Sequence, residues 1–148
     1  MADLDLGTRV PFAGFVGLEL LRMEGGESEL ALQLRPELSN GWNVAHGGAL
    51  MTLLDVAMAS AARSSAADGT EESSGVVTIE MKTTFMQPGE GRLVATGRRL
   101  HRTASLAFCE ATVICGDGKL VAQATGTFKY MRALAVGGRR VQRPNASD

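Results

Sequence analysis

Cysteine is scarce in this chain: Cys109 and Cys115 are the only two. They share a face of one predicted strand, where a straight backbone would hold them about 20 Å apart. No bridge is expected, and each reads as small core filler in a reducing, cytoplasmic setting. Long apolar runs are missing too, since none approaches the ~20 residues of a membrane-spanning helix. The opening MADLDLGTRVPF has neither the basic head nor the apolar centre of a signal peptide. Neither sign of charge dominates. Lys and Arg total 15 against 16 Asp and Glu, and the pI is near 6.1. That balance argues against nucleic acid as an obligate partner. His46, His101, Cys109 and Cys115 show none of the usual ligand spacings, so no metal is expected. No repeat or low-complexity segment stands out. With 148 residues the chain is long enough for one domain with its own core.

What the chain does have is an unusual stretch from Asn40 to Arg63, NGWNVAHGGALMTLLDVAMASAAR. From Gly48 to about Ala62 it holds no proline and mostly good helix formers. The predicted helix is apolar nearly all round, which implies burial on most sides. Asp55 interrupts it, between Leu54 and Val56. An unpaired buried carboxylate is costly, so Asp55 must be paired, wetted or functional. The helix opens on Gly47 and Gly48, which let another group approach the backbone closely. The first N–H groups of a helix lack internal partners and carry partial positive charge. A ligand oxygen, or an oxyanion formed during reaction, can sit there. Asp55 follows Gly47 by eight residues, about 12 Å along a helix axis. A base or nucleophile must come within about 3–3.5 Å of the reacting atom. One helix cannot easily supply both groups to one carbon. Two antiparallel copies can, which predicts a two-fold dimer with two equivalent sites.

The rest of the chain is patterned as strands. Residues 8–16, TRVPFAGFV, predict a short helical or irregular lead-in, with Phe12 and Phe15 as anchors in the core or one of them lidding an apolar pocket. Leu18 to Glu24 is a first strand and Gly25-Gly26 a hairpin turn. Ser28 to Arg35 alternates, with Leu30, Leu32 and Leu34 on one face. Residues 64–74 are small and polar, a mobile loop. GVVTIEMKTTFMQPG gives a third strand, with Val77, Ile79, Met81 and Phe85 on one face and Thr78, Glu80, Lys82 and Thr84 on the other. Three more strands follow at 92–101, 105–115 and 120–131, turning at Arg102-Thr103-Ala104 and at Asp117-Gly118. The sequence thus divides into a lead-in (1–17), one domain (18–131) and a disordered tail (132–148). Strands that do not alternate with helices indicate an antiparallel sheet in an α+β fold. One long apolar helix needs that sheet to curve around it.

This order, joined to Asn40, the His46-Gly47-Gly48 run and the acid at Asp55, resembles the hotdog-fold acyl-CoA thioesterases over roughly residues 10–131. The phenylacetate-pathway branch of small thioesterases is the most similar. The resemblance implies hydrolysis of a medium-chain or aromatic acyl-CoA to free acid and coenzyme A. It implies a homodimer or a dimer of dimers, a homotetramer, and no cofactor beyond the coenzyme A of the substrate. Asp55 takes the role of general base or nucleophile, and the Gly47 N–H polarises the thioester carbonyl. His46 and Asn40 shape the site and place substrate or water. In some members a strand hydroxyl assists, and counting back from Met86-Gln87-Pro88 assigns that position to Thr78. Simple alternation points Thr78 away from its strand's apolar face, so either a partner subunit covers that face or Thr78 is not a site residue. Gly48 and Met51 fall on the substrate side. Arg98, Arg99, His101 and Arg102 cluster at a hairpin end, either as a solvated turn or, with Thr103, as contacts to the coenzyme A phosphates. Two other readings share the fold: a non-catalytic acyl-CoA binder or sensor, and a dehydratase of hydroxyacyl thioesters. Asp55 speaks against the first, and the second usually pairs a histidine with an acid in another pattern.

Overall fold

The computed structural model describes residues 6–64, 75–131, 133–136 and 139–142. Two short helices, α1 (Leu6–Arg9) and α2 (Pro11–Val16), precede β1 (Glu19–Glu24) and β2 (Glu27–Gln33). A 3-10 turn over Pro36–Leu38 leads to the long helix α3 (Gly47–Arg63). Then come β3 (Gly75–Phe85), β4 (Arg92–Arg102), β5 (Leu106–Cys115), β6 (Leu120–Met131), β7 (Ala133–Val136) and β8 (Arg139–Gln142). The first six strands form one sheet in the order β1-β2-β4-β5-β6-β3, antiparallel throughout.

α3 is bonded to β3 at one edge of this sheet and still touches β1 at the other. Strands lie about 4.8 Å apart and a helix is about 10 Å across, so a flat sheet would leave its far strand out of reach. The sheet therefore wraps the helix, which is the hotdog arrangement expected above. The buried face of α3 carries Leu50, Leu53, Leu54, Ala57 and Met58, packed on Leu30, Leu32, Leu93, Val113, Val121 and Phe128. Gly97 on β4 lets helix and sheet close up, since a Cβ there would overlap the carbonyl oxygen of Ala57. The Ser28 hydroxyl donates to that same oxygen at 2.6 Å. At the C-terminus of α3, Ala62 O accepts from Arg99 Nη1 at 3.0 Å and from the Tyr130 hydroxyl at 2.5 Å. Ser64 closes the helix by donating to Ala61 O at 2.9 Å while accepting the Gly26 N–H at 2.6 Å. Carbonyls that a helix leaves without internal partners are thus satisfied.

Several expectations need correction. α3 is not buried on most sides. Met51 is exposed, and Thr52, Asp55, Val56 and Ala59 are half-buried, so one flank of the helix stays open in the single chain. Phe12 and Phe15 are not core anchors, being 59% and 80% exposed. In α2 the buried pair is Ala13 and Val16, three apart, and this turns Phe12 and Phe15 outward. Disorder after residue 132 is not general, because β7 pairs with β8. Two short runs flanking Gly137-Gly138 carry a hairpin signal that the polar composition masks. Residues 143–148 lie outside the described residues, and so does the predicted loop at 64–74 apart from Ser64. Both cysteines are free and buried, and burial pushes the Cys109 thiol up to about 12.

Candidate active site

The loop before α3 is built by its own polar groups. Asn40 Oδ1 accepts from the backbone N–H of Trp42 at 2.9 Å and of Val44 at 3.3 Å. Asn40 N donates to Val44 O at 2.8 Å, and Asn43 takes a left-handed conformation at φ 61°. Asparagine tolerates that region better than most residues. His46 N donates to Leu38 O, and Ala45 N to Gly89 O, each at 2.9 Å, which fixes the entry to the helix. His46 is the N-cap, its Nδ1 accepting from Gly48 N–H at 2.8 Å. A neutral imidazole that accepts at Nδ1 carries its proton on Nε2. Ala49 and Leu50 N–H both donate to His46 O. Among the described residues the Gly47 N–H has no partner. Of the first helical amides it alone is left for an incoming oxygen, whereas Gly48 serves His46. The Phe85 ring lies 3.5 Å from where a Gly47 Cβ would be.

Two helical turns further along sits Asp55, half-buried. Met51 lies between them at four-residue steps, so Gly47, Met51 and Asp55 share one stripe of α3. Thr78 Oγ1 donates to Asp55 Oδ1 at 2.7 Å. Burial raises the Asp55 pKa above its usual 3.8, and the Thr78 hydrogen bond pulls it part of the way back. Among the described residues Asp55 makes no ion pair, and its Oδ2 has no hydrogen-bond partner.

Thr78 reaches the helix because β3 does not alternate simply. Its register with β6 runs Thr78↔Phe128 and then Glu80↔Thr127, leaving Ile79 as an extra, bulged residue. Directly paired residues share a face. Thr78 therefore faces the helix with buried Phe128, while Glu80 faces outward and accepts from the Thr127 hydroxyl at 2.7 Å. Beyond the bulge the helix side carries Met81, Thr83 and Phe85, opposite Gly126, Ala124 and Ala122. The grouping of Val77, Ile79, Met81 and Phe85 is thus corrected: Ile79 is 55% exposed. Thr83 escaped the sequence reading, although a hydroxyl in an otherwise apolar register was the signal for it. Its Oγ1 is buried and, among the described residues, has no hydrogen-bond partner.

The arginines do not form one cluster. A second register shift, at Leu100, and the pleat of β4 separate them. Arg98 faces outward, with Nε and Nη2 on Glu110 Oε2 at 3.1 and 2.6 Å. His101 stacks on Phe108, ring centres 6.2 Å apart. Arg99 turns to the C-terminus of α3, and the Arg102 guanidinium lies 4.0 Å over the Tyr130 ring. Thr103 Oγ1 accepts from Leu106 N at 3.0 Å, which orders the turn. Among the described residues no three His, Cys, Asp or Glu side chains gather as metal ligands do, and no helix is long and apolar enough to cross a membrane.

A family model described as the thioesterase superfamily matches residues 43–122, more than half of the chain. The chain belongs to the thioesterase superfamily. Among thioesterase relatives, it is 28% identical over 131 residues to the medium/long-chain acyl-CoA thioesterase YigI of Salmonella typhimurium, covering 80% of this chain and 84% of that one. Among solved structures, the conserved protein PA5202 of Pseudomonas aeruginosa superimposes with a TM-score of 0.78 at 32% identity, covering 87% of this chain and 100% of that one. The E. coli PaaI protein of the phenylacetic acid degradation operon gives a TM-score of 0.76 at 22% identity, over 85% and 88% of the two chains, a likeness of fold.

Proposed function

We propose that this member of the superfamily is an acyl-CoA thioesterase, hydrolysing a medium-chain or aromatic acyl-CoA to free acid and coenzyme A. One observation carries the reading: a half-buried carboxylate with an open oxygen shares a helix stripe with an amide that has no partner. The two lie about 12 Å apart along the axis, so two chains must combine. β3 is the edge strand of the sheet and adjoins the open flank of α3. A second copy packed there, as a homodimer or within a dimer of dimers, would set its Asp55 opposite this chain's Gly47.

In that cleft the thioester carbonyl oxygen accepts the Gly47 N–H at the positive end of α3. Asp55 of the second copy takes a proton from water as the oxygen of that water adds to the carbonyl carbon. The tetrahedral oxyanion stays on the amide, the C–S bond breaks, and the thiolate leaves with the proton held by Asp55. In the alternative route Asp55 Oδ2 attacks the carbonyl carbon directly, the C–S bond breaks with coenzyme A leaving as the thiolate, and water then cleaves the resulting anhydride to free acid and Asp55. Both routes need the carboxylate form, and Thr78 orients it in both. Arg99 and Arg102 lie near Ala62, about 10 Å beyond Asp55 along α3, where they would meet the coenzyme A phosphates. Arg98 is committed to Glu110 instead.

Thiol release over a panel of coenzyme A esters tests the reading. Wild type should turn over, and Asp55→Asn should lose about 10²–10⁴-fold in kcat. Ester binding without thiol release from wild type would mean a binder, and hydration of an enoyl ester without thiol release would mean a dehydratase.

A further inference from the structure

The helix-facing wall of β3 joins the two halves of the proposed chemistry. At one end Thr78 holds Asp55 at 2.7 Å. At the other the Phe85 ring lies against Gly47. Thr83 sits between them on the same face, opposite buried Ala124. Met81 and Phe85 flank it on the strand, so its neighbours on the sheet are apolar. Its hydroxyl oxygen is sealed from water and, among the described residues, meets no donor or acceptor. Three other hydroxyls on the inner surface of the fold are bonded, Thr78 to Asp55, Ser28 to Ala57 O and Ser64 to Ala61 O. Valine has the same shape and the same preference for strands, and would avoid stranding a polar atom.

Resting on the thioesterase reading, we propose that Thr83 selects the acyl group: its hydroxyl pairs with an oxygen carried on the acyl chain, a hydroxyl or keto group several bonds beyond the thioester carbon. Thr83 as a residue is only half-buried. One rotation about χ1 exchanges a threonine's methyl and hydroxyl, which turns the hydroxyl from the sealed side to the open one. Thr83 lies two residues from Phe85, about 7 Å along the strand, which separates the recognised oxygen from the carbonyl at Gly47. A purely alkyl chain would leave the hydroxyl stranded.

The experiment uses pairs of straight-chain acyl-CoA esters of equal length, one plain and one with a hydroxyl walked along the chain. Wild type should favour one hydroxyl position by about tenfold in kcat/KM over the plain ester, the worth of one hydrogen bond. Thr83→Val should collapse that ratio toward one and Thr83→Ser should keep it. A wild type indifferent to every hydroxyl position overturns the proposal, and so does a preference that survives Thr83→Val. A higher Tm for Thr83→Val with an unmoved ratio would likewise mean a purely structural residue. Calorimetric binding of non-hydrolysable thioether analogues reads Thr83 separately from turnover. If no thioester is hydrolysed, the thioesterase reading fails by itself. The Thr83 proposal then stands or falls on whether the Kd ratio of hydroxylated to plain analogue collapses in Thr83→Val.

Discussion

Asp55, the acid of the proposed chemistry, shows how a group suited to reaction can be poor for folding. Its pKa is raised, with burial the larger cause, so the folded chain favours the protonated form more than the unfolded chain does. The group's contribution to stability is therefore most favourable below the ordinary value near 3.8 and is lost as pH rises through the folded value. Asp55→Asn should accordingly raise Tm at pH 8, with the gain shrinking toward zero near pH 3.5, which paired thermal melts would reveal. The rate should behave oppositely, since both routes need the carboxylate. The acid limb of kcat/KM against pH should lie above 3.8, and Thr78→Val, which deletes a bond to the charged form, should move that limb to still higher pH. Asp55 itself was legible in the sequence because an acid among Leu54, Val56 and Ala57 has no routine explanation. His46 and Asn40 were legible as neighbours of the site. Their work as cap and loop organiser depends on which backbone amides they meet, and that is a matter of folded geometry.

At the level of elements, the packing of α3 on β4 depends on a missing side chain. Gly97→Ala would drive a methyl into the carbonyl oxygen of Ala57 and displace the Ser28 hydroxyl bond. A loss of about 1–3 kcal/mol is expected, measurable as a lower denaturation midpoint, with any fall in turnover following from the shifted helix. Strand order, the long helix and the turns were readable from alternation and glycine placement. Gly25 and Gly26, at φ 60° and 80°, adopt the left-handed pair that a two-residue hairpin requires. The faces of β3 were readable only on one side of Ile79. A bulge adds one residue without any mark in composition, so alternation counted from Met81 and Phe85 gives Val77 and Thr78, on the other side of Ile79, the wrong faces. Phe12 and Phe15 misled for a related reason. Aromatic character favours burial, but in so short a helix the docking of Ala13 and Val16 decides which side faces the core.

At the level of the whole molecule, the proposed cleft takes its amide from one chain and its acid from another. Gly47 is the first helical residue, the position where proline is tolerated, and His46 at φ −65° and ψ 140° already has the extended shape that precedes proline. Gly47→Pro should therefore remove the N–H while keeping the helix, and should cost about 10²–10³-fold in rate. Mixing this variant with Asp55→Asn under conditions of subunit exchange should restore about a quarter of wild-type activity, because half of the dimers are hybrids with one intact cleft. Mixtures that stay inactive would place both groups in one chain. The bare outer edge of β3 has a further implication. A solitary molecule would be only half an enzyme, so output would scale with the square of abundance at low dose. Dilution assays would then show specific activity fading well before the protein unfolds, and a cell would acquire the activity only once enough copies had met.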